Sequence, residues 1–380
     1  MKNKYIMFSI VVLVLFVTLS VCFDKFKTTN TFIEDSSNNQ IKVTKGISMN
    51  LEQTAGAGDY KTVTQSKWPT EGYKFNSELS RCENGSKISW DDTNNTLVVS
   101  GNLSDKCYVY FDIYQLTLAE YIKSQYTGTQ GENNIYYHDS SLANGAGDNS
   151  YRYAGASDSV NNYICLGSDA TTCPDANLFR IIGVFGNQTK VIRAKSVGYQ
   201  QWHTSADNTW SSSSLNAYLN GTYLTSLGTI AEKIATTTWK VGGGSGSNIS
   251  ASVPKTAYKN EVGSSASTTI IDKKIGLMYV SDYGFAASPS AWTKILGDYD
   301  GTDANGTSIK TINWMYMGYN EWTISRHSDN TNSAFFVNST GNVLGSNVRS
   351  DNGVRPSFNL ESSVKYVSWS GSMSDPVRVN

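Results

Sequence analysis

The sequence has few charged residues and almost no histidine. Charged residues make up 17% of the 380 positions, and 31 Lys and Arg are offset by 32 Asp and Glu. Because no basic excess exists to neutralise a phosphate backbone, we expect no nucleic-acid partner. The three histidines, His138, His203 and His327, lack the spacing of a zinc site. We therefore expect no resident metal or other cofactor.

Proline and long helical patterns are also scarce. The chain has six prolines, whereas Asn, Ser, Thr, Gly and Tyr are abundant. This composition is typical of strands joined by polar turns. A length of 380 residues exceeds that of most single domains, so we expect two folded units.

The N-terminal region lacks the alanines of a common signal-peptidase site, since the first alanine is Ala55. Residues 6–23 are uncharged and would span roughly 27 Å as a helix, close to the hydrocarbon thickness of a bilayer. Residues 1–27 are therefore predicted to be a signal anchor with a single transmembrane segment at 6–23. Cleavage of this segment and lipidation of Cys22 both stay open. The rest of the chain is predicted to be extracellular.

Strand and helix signals divide the remaining chain. Alternating runs around turn residues predict hairpins at 87–100 and 178–194, and apolar stripes predict two helices between 211 and 234. The predicted fold class is α+β. The predicted parts are a stalk at 28–40, a small antiparallel β-sandwich at 41–115, a linker helix and loop at 116–150, and a larger α+β domain at 151–380.

Cysteine usage supports an oxidising compartment. Outside the apolar N-terminal segment there are four cysteines, Cys82, Cys107, Cys165 and Cys173. Four cysteines allow three pairings, but Cys82 with Cys107 and Cys165 with Cys173 each fall within one predicted domain. We therefore predict these two disulfides.

Four motifs follow one another in the C-terminal half of the chain. They are FRIIGVF at 179–185, WSSSSLNAYLN at 210–220, EWTISR at 321–326 and GVRPSF at 353–358. In this order they resemble exported proteins of low-GC Gram-positive bacteria that carry a C-terminal domain of unassigned function. That domain type is similar to the C-type-lectin-like fold, which also underlies formylglycine-generating enzymes and several adhesins.

The resemblance implies a fold but not an activity. The calcium-binding triplets Glu-Pro-Asn, Gln-Pro-Asp and Trp-Asn-Asp of sugar-binding lectins do not occur in the sequence. The last cysteine is Cys173, so the late cysteines that the formylglycine-generating enzymes need are missing. The resemblance therefore implies neither calcium-dependent sugar binding through those triplets nor the oxidase reaction.

Tryptophans supply the candidate binding residues. Trp210 and Trp322 lie within the motifs and are predicted to be core. Trp202 and Trp292 stand in polar, loop-like surroundings and are the predicted ligand-binding residues, because loops on a rigid scaffold often carry recognition.

An oxygen-rich segment around residues 298–306 gives a weak calcium candidate. Its acidic residues Asp298, Asp300 and Asp303 are not spaced as in an EF-hand loop. No Gly-x-Ser-x-Gly elbow occurs, so no catalytic residue is assigned and no enzyme activity is expected.

Export, loop aromatics and the resemblance together predict a cell-surface binding or adhesion protein. Its partner would be an extracellular glycan or protein, with the membrane contacted through the N-terminal helix. Two alternatives stay open, a structural surface or pilus-like assembly subunit and an extracytoplasmic enzyme.

Overall fold

A computed structural model describes residues 46–63, 72–91, 94, 96–102, 104–368 and 370–380. The chain divides into two units, Met1–Gln115 and Leu116–Asn380. The predicted signal anchor, its transmembrane segment at 6–23 and the stalk at 28–40 lie outside the described residues.

The first unit is built from short strands. These are β1 (Ile47–Glu52), β2 (Tyr60–Val63), β3 (Tyr73–Phe75), β4 (Arg81–Cys82), β5 (Lys87–Asp91), β6 (Thr96–Ser100) and β7 (Cys107–Ile113). One sheet has the order β2-β1-β7-β3, with β4 also on β7, and β5 and β6 form a separate hairpin. Strands β1 and β7 run parallel, which corrects the prediction of a purely antiparallel sandwich.

The hairpin of the first unit packs on its sheet. The Trp90 ring meets the Phe111 ring edge to face, with centroids 5.1 Å apart. Leu97 from the hairpin joins Met49 and Val109 from the sheet in one buried cluster. The disulfide between Cys82 and Cys107 joins β4 to β7 and confirms the first predicted pairing.

The second unit contains two larger sheets and a two-stranded ribbon. Its strands are β8 (Ile135–Tyr137), β9 (Tyr151–Tyr153), β10 (Tyr163–Cys165), β11 (Leu178–Phe185), β12 (Gln188–Arg193), β13 (Tyr199–Gln201), β14 (Thr237–Lys240), β15 (Ile270–Lys273), β16 (Ile275–Gly276), β17 (Glu321–Arg326), β18 (Ser333–Val337), β19 (Val343–Asn347), β20 (Asp351–Gly353), β21 (Ser357–Asn359), β22 (Tyr366–Ser368) and β23 (Val377–Val379). The first sheet runs β16-β21-β12-β11-β10-β23-β22, with β9 also on β11 and β8 on β9. The second sheet runs β13-β20-β17-β18-β19, and the ribbon pairs β14 with β15.

The helices of the second unit are short. They are α1 (Leu118–Ser124), α2 (Ser214–Tyr218), α3 (Leu224–Ser226), α4 (Pro254–Glu261) and α5 (Val280–Ala286). Short segments of 3-10 helix occur at Glu132–Asn134, Asp175–Asn177, Trp210–Ser212, Gly228–Lys233, Pro289–Ala291, Leu296–Asp298 and Ile309–Ile312. Two separate helices were predicted between 211 and 234. Instead a π turn at Leu219–Tyr223 continues into α3, and the Asn220 amide pairs with the backbone of Ile275.

The predicted fold class needs correction. The described residues are mainly strands with few short helices, and none of those helices is long and apolar enough to cross a bilayer. The predicted α+β class with an N-terminal transmembrane helix is therefore wrong for the part of the chain that the structure describes. The apolar stripes between 211 and 234 correspond only to short α-helical segments, a π turn and turns of 3-10 helix, so they overstated the helix content.

Residues 116–150, predicted as a linker, belong to the second unit. Helix α1 begins with a capping box between Thr117 and Glu120. Its Leu118 and Ile122 are buried in the main hydrophobic core of the unit. The disulfide between Cys165 and Cys173 also lies in this unit and confirms the second predicted pairing.

Candidate functional site

Gly183 in β11 lies between two basic residues, one on each of the two strands that flank β11. Gly183 pairs with Arg152 of β9 on one side and with Lys190 of β12 on the other. A Cβ at Gly183 would lie 2.2 Å from the carbonyl oxygen of Tyr151, so β9 approaches β11 this closely only at a glycine. The sequence thus places a buried guanidinium and a buried ammonium on either side of a residue without a side chain.

Asp282, in the first turn of α5, lies between these two cations. Its Oδ2 is 2.5 Å from Lys190 Nζ, and its Oδ1 is 3.5 Å from Arg152 Nη1. The side chains of all three residues are at most 6% exposed. Asp282 Oδ2 also accepts the backbone N–H of Tyr279, which caps α5. We call Arg152, Asp282 and Lys190 the ion triplet.

Aromatic rings surround both cations of the ion triplet. Lys190 Nζ lies 4.6 Å from the Tyr279 ring centroid and 5.3 Å from that of Trp239. The Arg152 guanidinium lies 5.2 Å from the Tyr258 ring centroid. Burial lowers the pKa of Lys190 below its ordinary value, and the charge of Asp282 offsets part of this effect. The rings stabilise positive charge where water is excluded.

Further carboxylates hold the ion triplet in place. Asp148 accepts a hydrogen bond from Arg152 Nη2 at 2.7 Å. Burial alone would raise the pKa of Asp148, but the charge of Arg152 and the hydrogen bonds outweigh burial and lower it. Glu261, the last residue of α4, accepts the backbone N–H groups of Val280 and Ser281 and so ties α4 to the start of α5. Burial raises the pKa of the Glu261 carboxyl.

The ion triplet forms part of the wall of a cavity of about 190 Å³. The aromatic part of the wall comes from Phe185, Trp239, Tyr258 and Tyr279, and polar groups come from β14 and from Asn359 of β21. Two hydrogen bonds position Trp239 and Tyr279. The Trp239 indole N–H donates to the Lys273 carbonyl at 3.0 Å, and Tyr279 Oη accepts the Lys240 backbone N–H at 2.9 Å. We call this cavity the Trp239 pocket.

Most of the Trp239 pocket falls in a segment that matches a known family model. Residues 186–362 match the model described as a domain of unknown function (DUF6273). The second unit contains a DUF6273 domain. Lys190, Trp239 and Asp282 lie inside the matched segment, whereas Arg152 and Phe185 precede it. Neither a curated protein nor a solved structure shows significant similarity to the chain.

The match confirms the expected C-terminal domain of unknown function but not its expected fold. The motifs at 210–220, 321–326 and 353–358 all lie within the DUF6273 domain. No comparison supports a lectin-like fold, export or membrane anchoring. The comparisons therefore give this domain no activity, and its pocket has to be interpreted from its own chemistry.

The two tryptophans predicted to bind a ligand are fully buried in the DUF6273 domain. The Trp202 indole donates to the Thr323 carbonyl at 3.0 Å and packs beside Trp210. The Trp292 indole donates to the Ala287 carbonyl at 2.8 Å and meets Phe285 edge to face. Neither ring reaches the surface, so the binding surface predicted at these residues is wrong. Both are core residues, as are Trp210 and Trp322.

The weak calcium candidate also lacks a binding arrangement. Asp303 Oδ1 accepts the backbone N–H groups of Asn305 and Thr307, so its carboxylate closes its own turn. Within the described residues, no group of three or more His, Cys, Asp or Glu side chains is placed to hold a metal ion. Asp298, Asp300 and Asp303 are therefore not brought together as a ligand set.

The residues of the Trp239 pocket were missed by sequence analysis, although the sequence holds a signal for them. Lys190 stands in the strand QTKVIR, and Asp282 stands in the apolar helix VSDYGFA. Single charges within buried elements are rare unless they are paired. A search for isolated charges inside apolar runs would have selected both residues.

Proposed function

We propose that this protein is an exported binding protein whose DUF6273 domain binds one sugar unit of an extracellular glycan in the Trp239 pocket. The proposal rests on the chemistry of the pocket wall rather than on Trp202 and Trp292. The proposal keeps the prediction of a binding protein. It places the binding site at residues that were not predicted from the sequence.

The observation that carries the proposal is a donor and an acceptor in the pocket wall that lie 3.5 Å apart as an ion pair without a hydrogen bond between them. Arg152 Nη1 makes no hydrogen bond, although it is buried. Asp282 Oδ1, 3.5 Å away, receives no hydrogen bond from the described residues. A hydroxyl group both accepts and donates, so one hydroxyl at about 2.8 Å from each atom would satisfy both. Satisfying a buried polar atom contributes roughly 1–3 kcal/mol.

The walls and the size of the Trp239 pocket favour a single sugar ring. Its volume of about 190 Å³ is below the roughly 300–1,000 Å³ typical of sites for drug-sized ligands. The C–H face of a pyranose packs well against aromatic rings through dispersion and burial of apolar surface. Rings such as Trp239 and Tyr258 line the pocket, while the ion triplet offers partners for hydroxyl groups.

The two disulfides support an extracellular location. Cys82–Cys107 and Cys165–Cys173 lie in different units, so both units fold with an oxidised pair. Such pairs persist outside the reducing cytosol. An extracellular glycan is therefore a ligand that the protein would meet.

The proposal is tested by screening the full chain on a glycan array and by isothermal titration calorimetry with the sugars that bind. Thr238 lines the pocket and is exposed, so Thr238→Trp fills the entrance without removing a core side chain. We expect this variant to lose at least about tenfold in affinity, because a bulky ring competes with the sugar for the same volume.

The matched control is Ile270→Trp. Ile270 lies on the adjacent strand β15, is 56% exposed, and does not line the pocket. We expect this variant to bind as the unmodified protein does, and thermal melting should show both variants folded. Absence of binding to every sugar on the array, or unchanged binding by Thr238→Trp, would refute the proposed function.

A further inference from the structure

Among the three cations of the Trp239 pocket wall, Lys240 alone has no carboxylate partner among the described residues. Lys190 and Arg152 share Asp282, and Arg152 also pairs with Asp148. The third cation that lines the pocket is Lys240. Its Nζ donates to the Gly263 carbonyl at 3.3 Å, and no carboxylate of the described residues lies within ion-pair distance of it. The charged residues that line the cavity are therefore three cations, Arg152, Lys190 and Lys240, and one acid, Asp282.

The backbone of Lys240 is held at the pocket wall. Its N–H donates to Tyr279 Oη at 2.9 Å, and it pairs with Ile270 across the β14–β15 ribbon. The neighbouring Trp239 ring is buried, whereas the Lys240 side chain is half-buried. The ammonium therefore carries a charge that is partly removed from water and that a neutral protein carbonyl only partly compensates.

We propose that the sugar unit bound in the Trp239 pocket carries a carboxylate, and that this carboxylate pairs with Lys240. The chemical class is a uronic acid or another acidic pyranose unit of an extracellular glycan. This inference rests on the proposed function and specifies the ligand of the same pocket. The sugar hydroxyl groups contact the ion triplet, and the carboxylate supplies the negative charge that the pocket wall lacks.

The charge balance explains why an acid is preferred to a neutral sugar. A carboxylate beside Lys240 gains a charge-assisted hydrogen bond, which is about twice as strong as a neutral one. Partial burial reduces screening by salt, so this gain is larger than at an open surface. We expect an acidic sugar to bind about tenfold more tightly than its neutral counterpart, because a hydrogen bond to a charged group contributes more binding free energy than a neutral one.

The inference is tested by calorimetric titration of the full chain with two matched pairs of sugars. Oligosaccharides that end in glucuronate are compared with those that end in glucose, and galacturonate with galactose. Lys240→Gln keeps a polar side chain and removes the charge, so the uronate should bind this variant no better than the neutral sugar. Raising the salt concentration should narrow the uronate preference of the unmodified protein.

Lys274→Gln is the matched control. Lys274 lies in the same domain, is also half-buried, donates to the Ala231 carbonyl at 2.7 Å, and does not line the pocket. This variant should keep the full preference for uronate. Thermal melting of both variants separates loss of binding from loss of folding.

The possible outcomes separate the inference from the proposed function. If neutral sugars bind as tightly as uronates, or if Lys240→Gln keeps the uronate preference, the acidic-ligand inference is overturned and sugar binding stands. If neither member of any sugar pair binds, the proposed function is overturned and the inference falls with it.

Discussion

The stability of the protein should fall as the pH is lowered below neutrality, because His138 is buried in its neutral form. Its ring is fully buried and packs against Phe285 and Trp292, with centroids 4.9 Å and 5.1 Å away. Nδ1 accepts the backbone N–H of Ala146 at 3.0 Å, so this nitrogen has to stay unprotonated. Burial, assisted by the charge of Arg152, holds the pKa of His138 well below its usual range.

The sign and size of the effect follow from linkage. A depressed pKa in the folded state means that the unfolded chain binds the proton first, so stability is lost as the pH falls. An unfolded histidine has a pKa of about 6.5, and going from about pH 7.5 to about pH 5 then costs about 2 kcal/mol if folded His138 stays neutral. For a domain of this size, that cost lowers Tm by about 4–8 °C.

The assay is chemical denaturation of the full chain and of His138→Asn at several pH values in this window. Asn can accept the Ala146 N–H but cannot take up a proton, so the variant should be less stable at every pH and less dependent on pH. Burial raises the pKa values of Glu261 and Glu321, which makes stability rise as the pH falls through their folded pKa values. These carboxyl groups contribute equally to the unmodified protein and to His138→Asn. The effect of His138 is therefore the difference between the two proteins in how steeply the free energy of unfolding changes with pH.

Ile181→Val is the matched control. Ile181 is also buried in the second unit, and the substitution leaves a small cavity without removing a titratable group. We expect this variant to be less stable at every pH and to keep the pH slope of the unmodified protein. Equal slopes for the unmodified protein and His138→Asn would refute the reasoning, because they would show that His138 has the same proton affinity in the folded and unfolded states.

Two further predictions concern the core and the second disulfide. Trp202→Ala should lower the free energy of unfolding by about 3–5 kcal/mol, whereas Tyr199→Ala, at a side chain that is 60% exposed, should change it by under about 0.5 kcal/mol. Denaturant titration measures both, and a Trp202→Ala variant of normal stability would contradict the burial of this ring. Replacing both Cys165 and Cys173 by Ser removes a bridge across a sequence separation of 8 and should cost about 2.5 kcal/mol in the chain-entropy model. Peptide mapping without reduction should recover this pair from the unmodified protein, and two free thiols at these positions would contradict it.

Features decided by neighbouring residues could be predicted from the sequence. The hairpins at β5–β6 and β11–β12 were anticipated, because alternating side chains and turn residues specify pairing over a few positions. Both disulfides were also predicted correctly, since each joins cysteines of one unit. These features require no knowledge of the contacts between distant segments.

The environment of single tryptophans could not be predicted in this way. Trp292 follows Ser-Pro-Ser-Ala, a sequence typical of an exposed loop, yet its ring packs on His138 and Phe285. Trp202 is similarly buried by contacts with β17, which lies more than a hundred residues further along the chain. Polar residues next to a tryptophan in the sequence indicate a loop-like backbone. Whether its ring is buried depends on residues that are distant in sequence and pack against it in the fold.

The same reasoning explains why the ion triplet was missed. Arg152, Lys190 and Asp282 are far apart in sequence, and each alone is compatible with an exposed charge. They meet because Gly183 lets β9 approach β11 and because α5 begins beside β12. Once the strands are in this register, each charge has too little water around it to stay unpaired, so the three residues require one another. The hydrogen-bonding capacity that remains on Arg152 and Asp282 is what a ligand in the Trp239 pocket would use.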